Sequence, residues 1–170
     1  QHEYYDIEIR HGHDDHTYGF IDISNDNEAL FASGVSNTDD SPPYQEITLD
    51  FDFPFYGHIE EKIWVDANGF MATFPYFCDA NGTPIFCNWQ YPDKSVYKRY
   101  IAPLMTDFNT HYSNDTKIHY KLTTDDTGDG SKMLIVQWTN MTLFCTECTW
   151  NIKEESFTFQ AILFENGDII

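Results

Sequence analysis

Strict alternation of apolar and polar residues is the first signal in this chain. Ile47, Leu49, Phe51, Phe53 and Phe55 are apolar, and Glu46, Thr48, Asp50 and Asp52 between them are polar. A period of two sends the two sets to opposite faces of a strand, and Pro54 falls where a strand can leave its sheet. Ile118, Tyr120 and Leu122 alternate in the same way with Lys117, His119 and Lys121, and Phe157, Phe159, Ala161 and Leu163 run opposite Thr158 and Gln160. Met133 to Trp138 is different: a continuous apolar run broken only by Gln137, the pattern of a strand buried on both faces. Weaker strand signals cover Tyr18–Ile23, Ala29–Ala32, Lys62–Val65, Phe70–Phe74 and Tyr100–Met105.

Turn chemistry punctuates these runs. Asn68-Gly69 and Asn166-Gly167 are dipeptides that supply positive φ at primed hairpin turns, and Asp125–Ser131 reads as a hairpin loop. No stretch of a dozen residues carries a 3.6 period with caps, so few and short helices are expected. Roughly ten short strands with turns between them predict an all-β fold, an antiparallel β-sandwich. One domain spanning 1–170 is expected, with residues 1–16 as a polar, mobile lead-in. Asp168-Ile-Ile170, just after a turn, reads as an artificial end of the chain or as the start of a further strand.

Composition narrows the function. A chain of 170 residues, 41% hydrophobic, can bury roughly 70% of its unfolded surface and does not depend on disulfides for a core. With 4 Trp, 11 Tyr and 14 Phe it is too aromatic for a disordered tail. Lys and Arg number 9 against 28 Asp and Glu, a formal charge of −19. That sign opposes both nucleic acid and an anionic membrane surface. No run of 18 apolar residues crosses a bilayer, and no basic stretch with an apolar h-region opens the chain, so any signal peptide is expected to be already removed.

Two signals point to the secretory pathway. Three sequons are present, at Asn81-Gly82-Thr83, Asn114-Asp115-Thr116 and Asn140-Met141-Thr142. The 4 cysteines are even in number. Turn chemistry at Asn81–Pro84 favours local pairing of Cys78 with Cys87, and Cys145 with Cys148; a cross-pairing that staples the two loops is the rival. Cys145-x-x-Cys148 lies between β-like runs and not at a helix N-terminus, which disfavours thioredoxin-like chemistry. The Cys78…Cys87 spacing is wide for a zinc knuckle.

At Phe51-Asp-Phe-Pro-Phe-Tyr-Gly-His58, followed by Ile63–Phe70 ending in Asn68-Gly69-Phe70, the chain resembles the nidogen-like domain, most closely that of plexin domain-containing (tumour endothelial marker) proteins. The pattern continues through Tyr100-Ile-Ala-Pro-Leu-Met105 with Asp107-Phe108, Val136-Gln-Trp138 and Ser156-Phe-Thr-Phe-Gln-Ala161. His2-Glu-Tyr-Tyr5 and Gly34-Val-Ser-Asn-Thr38 precede these in the expected order, so the likeness covers nearly the whole chain. The resemblance implies a single-pass type I cell-surface protein. Its nidogen-like domain would lie outside the cell, ahead of a small plexin-semaphorin-integrin module and a transmembrane helix. It also implies extracellular partners, the matrix protein nidogen and pigment epithelium-derived factor being those linked to the family, and it brings no catalytic residues. The cysteine-bearing inserts Pro75–Lys98 and Phe144–Glu155 depart from the vertebrate pattern and suggest an invertebrate homologue.

Other chemistry is weaker. His11, His13 and His16 are a metal candidate by residue type, but their polar segment offers nothing to pre-orient ligands. Asp125, Asp126, Asp129 and Gly130 resemble the front of a calcium loop, yet the bidentate position falls on Val136, inside a strand. No nucleophile elbow, His-Glu-x-x-His or phosphate loop is present, so no enzymatic activity and no cofactor are expected. The aromatic strings Phe51–Tyr56 and Phe70–Phe77 are of a residue type that stacks carbohydrate, but alternation sends most rings to the core. Glu60-Glu61-Lys62 and other charge runs read as solvated faces. The function that the resemblance implies is a ligand-binding or adhesion module of a cell-surface receptor, on the outer side of the plasma membrane. Its partner would be a matrix or secreted protein, self-association being compatible, and it would touch the membrane only through a downstream segment. A secreted basement-membrane component is the alternative, and a calcium- or carbohydrate-binding lectin a more distant one.

Overall fold

The computed structural model of the chain describes residues 19–25, 30–31, 44–73, 99–109, 116–125, 130–143 and 156–170. Among them the strands are β1 (Leu30–Phe31), β2 (Tyr44–Phe55), β3 (His58–Asp66), β4 (Phe70–Ala72), β5 (Tyr100–Ile101), β6 (Phe108–Asn109), β7 (Lys117–Thr124), β8 (Lys132–Leu143) and β9 (Phe157–Phe164), with no helix. They form two antiparallel sheets. One is four-stranded in the order β2-β3-β4-β5. The other is five-stranded, with β1-β7-β8-β6 in order and β9 also paired to β8.

Alternation along β2 sends Ile47, Leu49, Phe51, Phe53 and Phe55 into the core, and Glu46, Thr48, Asp50 and Asp52 to solvent. They meet Ile63, Val65, Met71 and Ile101 of their own sheet, and Ile118, Leu134, Val136, Trp138, Met141, Ala161 and Leu163 of the other. This is the sandwich the pattern predicts. Its centre is Trp138, fully buried, with its ring stacked on Phe159 at 5.0 Å. The indole Nε1 donates to the Asp66 carbonyl at 2.9 Å, tying the sheets together by a hydrogen bond that burial would otherwise leave unmade. The apolar run of β8 is buried on both faces, as the sequence implies. Met133 and Ile135 turn away from the sandwich and pack with Ile162, Phe164 and Ile23 in a second cluster on the outer face.

Several elements differ from expectation. Residues 19–23 are not a strand; they lie across the outer face of the five-stranded sheet. The strand at Tyr100 ends at Ile101, because the chain then turns through Pro103 to close over the β3–β4 loop. Neither Asn-Gly pair makes a two-residue primed turn. Residues 67–69 and 165–167 are three-residue loops in which the glycine alone has positive φ, +77° at Gly69 and +93° at Gly167. The two-residue primed turn is instead at Tyr56-Gly57, with φ of 48° and 75°. β6 was not legible as a strand. The loop after β7 closes as expected, Asp125 N donating to Ser131 O at 2.8 Å. At the end of the chain Ile162 and Ile170 exchange both backbone hydrogen bonds, so residues 168–170 do start a further strand against β9.

Candidate functional site

Two networks of polar groups stand out among the described residues. The first is the corner between β3 and β4. Asp66 ends β3 with its side chain buried, and its Oδ1 accepts from Asn68 N at 2.8 Å. Asn68 Oδ1 accepts from Phe108 N at 2.9 Å, Thr106 N donates to Asn68 O at 3.1 Å, and Leu104 N donates to Gly69 O. Segment 102–108 is thus held against the loop by backbone and amide groups. A Cβ on Gly69 would stand 2.0 Å from Leu104 O, so the approach requires glycine for space as well as for its φ. Burial raises the Asp66 carboxyl from 3.8 to about 7, opposed by the Asn68 N–H, which favours the charged form. Among the described residues no three His, Cys, Asp or Glu side chains come together as metal ligands. The corner's chemistry is to fix backbone.

The second construction is a row across the outer face of the five-stranded sheet. His119, Gln137 and Gln160 are paired in register on β7, β8 and β9, so their side chains share one rung. Residues 21–24 cross this row. Gln160 Oε1 accepts from Ile21 N at 3.1 Å and its Nε2 donates to Ile21 O at 2.7 Å. Gln137 Oε1 accepts from Ile23 N at 2.9 Å, while its Nε2 donates to Asp22 Oδ1 and to Thr139 Oγ1, each at 3.1 Å. Asp22 Oδ1 also accepts from Ser24 N at 2.9 Å. Hydrogen bonds from Ser24 and then Gln137, with the charge of His119, hold the Asp22 carboxyl below its usual range. The sequence offers one pointer to this site: Gln137 is the single polar residue in the apolar run of β8. Nothing in the sequence pairs it with Gln160 or residues 21–23.

Of the residues picked out from sequence, Asn140 is described. It sits at a bulge between β8 and β9, with φ of 54° and its side chain half-buried. Asn140 N donates to Thr158 Oγ1 at 3.1 Å, and Asn140 O accepts from Thr116 Oγ1 at 2.8 Å. Asparagine tolerates this left-handed conformation better than most residues, so the bulge is a structural reason for Asn140 beside its sequon. Thr142 of the same sequon, and Thr116 of the Asn114 sequon, are buried. Cys78, Cys87, Cys145, Cys148, Asn81, Asn114, His11, His13, His16, Asp126 and Asp129 lie outside the described residues, as does the lead-in 1–16. Asp125 and Gly130 flank the β7–β8 loop.

One charge run departs from the solvated face expected of it. Glu60 is not solvated: it is buried and pairs with Arg99 Nη2 at 2.8 Å, while Arg99 Nε donates to Thr73 Oγ1 at 3.1 Å. A buried carboxylate requires such a partner, and Arg99 lies too far along the chain for local spacing to reveal it. Glu61 and Lys62 are exposed as expected, Lys62 pairing with Glu46 at 2.5 Å.

No solved structure matches the chain. The family described as NIDO related matches residues 14–170, which include both the corner and the outer-face row. The chain therefore belongs to the nidogen-related family.

Proposed function

We propose that this domain is the extracellular ligand-binding or adhesion module of a single-pass cell-surface receptor of the plexin domain-containing type, an invertebrate homologue, engaging a matrix or secreted protein. A nidogen-related domain is an extracellular, matrix-type module, and the family match over residues 14–170 is the observation that carries the reading. The finer part is supported by the fragments of the plexin domain-containing resemblance. Ile63–Phe70, Tyr100–Phe108 and Val136–Trp138 interlock at the Asp66 corner through the Asn68, Gly69 and Trp138 hydrogen bonds. These fragments thus share one structural purpose. The reading assigns the domain no catalytic step and no cofactor. It includes disulfides Cys78–Cys87 and Cys145–Cys148, and glycans on Asn81, Asn114 and Asn140.

A charge of −19 favours a partner with a basic surface and opposes nucleic acid. Surface biotinylation of the tagged full-length protein in secretory cells tests the receptor reading. Labelled protein that needs detergent for extraction is the expected result. Recovery in medium or salt-washed matrix without detergent would replace the receptor by a secreted basement-membrane component.

A further inference from the structure

The segment over the outer face of β8 and β9 is bound much as a ligand would be. It belongs to no strand of the sheet beneath it; its Ile21 is 38% exposed and the preceding Phe20 52%. Its one deeply inserted side chain is Ile23, 3% exposed, seated among Met133, Ile135, Ile162 and Phe164. Among the described residues its hydrogen bonds to the sheet are made by glutamine side chains. Gln160 takes the N–H of Ile21 and gives to its carbonyl, which a primary amide can do for any residue in an extended peptide. Gln137 takes the next alternate N–H, that of Ile23, and gives to the carboxylate of Asp22. Backbone is read at two alternate residues, an aliphatic side chain fills the pocket, and an acidic oxygen meets the remaining amide donor.

We propose that the outer face of β8 and β9 is a docking groove for an extended peptide segment of a partner protein carrying an acidic residue followed by an aliphatic one, closed in this chain by its own Ile21-Asp22-Ile23. This rests on reading the domain as a ligand-binding module. Gln137, 1% exposed, explains why the groove is not left bare. Its amide is fully matched while the segment is docked, and loses its Ile23 and Asp22 partners when the segment lifts. A competing peptide restores those partners and the apolar burial, so a ligand that fits can take the segment's place. The tethered copy competes at high effective concentration, which keeps the groove selective for ligands that fit it at least as well.

The probe is a fluorescent peptide of residues 19–25, Gly-Phe-Ile-Asp-Ile-Ser-Asn, added to the full chain. Ile23→Ser in the chain removes the buried side chain of the tethered copy and loosens it by about 30-fold, the factor that burial of one aliphatic side chain carries. That variant should bind the peptide saturably and at least about 10-fold more tightly than the unmodified chain. Adding Gln160→Ala should abolish the gain. Absence of saturable binding to Ile23→Ser, or equal binding with Gln160→Ala present, overturns the proposal. Should Ile23→Ser lack a cooperative unfolding transition, amide exchange on the unmodified chain decides. Exchange of the Ile21 and Ile23 amides well ahead of those of β8 supports an opening groove, and exchange in step with β8 refutes it. Neither readout depends on whether the full-length protein is anchored, so surface biotinylation and peptide binding can fail independently.

Discussion

Asp66 makes the domain's stability depend on pH in a direction opposite to that of most carboxylates. Its side chain is 3% exposed and its pKa is raised from 3.8 to about 7 by burial. Between those values the folded protein holds a proton that the unfolded chain has released. Stability contributed by protonated Asp66 is therefore fully present below about pH 4, falls as pH rises and levels off above about pH 7. At about 1.4 kcal/mol per unit, a rise of about 3 units costs ~4 kcal/mol over the whole range, of which roughly 2–3 kcal/mol falls between pH 5 and 8. Asp66→Asn keeps an Oδ1 acceptor for the Asn68 N–H and removes the titration. Urea unfolding of both proteins at pH 5, 6, 7 and 8 isolates the effect, since every other group titrates alike in the two. The asparagine variant should gain on the native protein by roughly 2–3 kcal/mol as pH rises from 5 to 8. A stability difference that is the same at both ends would show that Asp66 is not held protonated, and would remove the argument.

Gly69→Ala should destabilise the domain by more than about 3 kcal/mol, because its Cβ would meet Leu104 O at 2.0 Å in a backbone conformation alanine disfavours; chemical denaturation measures it. Tyr56→Asn should do the reverse, raising stability by about 0.5–1 kcal/mol, since Tyr56 is 60% exposed and has φ of 48°, where asparagine is less strained; an unchanged denaturation midpoint would contradict this. Non-reducing peptide mapping should link Cys78 to Cys87 and Cys145 to Cys148, and a peptide joining the two loops would establish the cross-pairing. Intact mass before and after deglycosylation should count glycans at Asn81, Asn114 and Asn140. Asn140 is the informative one, because a glycan there must be attached before Thr142 becomes buried.

What was legible in the sequence follows from which interactions are local. Alternation in β2 and the apolar run of β8 depend on single strands facing a core, and in both the buried faces are those the pattern implies. β6 and the end of β5 depend instead on contacts across the fold: segment 102–108 is shaped by a loop some forty residues earlier, through Asn68 and Gly69. The same limit hid the functional row. His119 and Gln160 alternate with apolar neighbours and so look solvent-facing, and residues 19–23 look like a strand. Only the tertiary structure lays the crossing segment over that outer face. Glu60 failed for the same reason, its partner Arg99 being remote in sequence.

Charge and recognition are divided between the two sheets. The outward row of β2 is acidic, and lysines from both sheets answer part of it: Lys62 pairs with Glu46, and Lys132 of β8 pairs with Asp50 at 3.3 Å while donating to the Asp50 carbonyl at 2.6 Å. Asp52 and Glu61 stay exposed. Such a surface acts at long range: it speeds the approach of a basic partner and is weakened by salt, but it reads little detail. The outer face of β8 and β9 has the opposite character, apolar floor and neutral amides, whose contacts act only at hydrogen-bond distance. Left bare, that floor would be an exposed apolar patch on a sheet, which invites non-specific association. A tethered segment that covers it until a matching peptide arrives lets the domain remain acidic and well solvated while keeping a sequence-sensitive surface in reserve. On this arrangement net charge governs how fast partners arrive, and the glutamine row governs which of them stay.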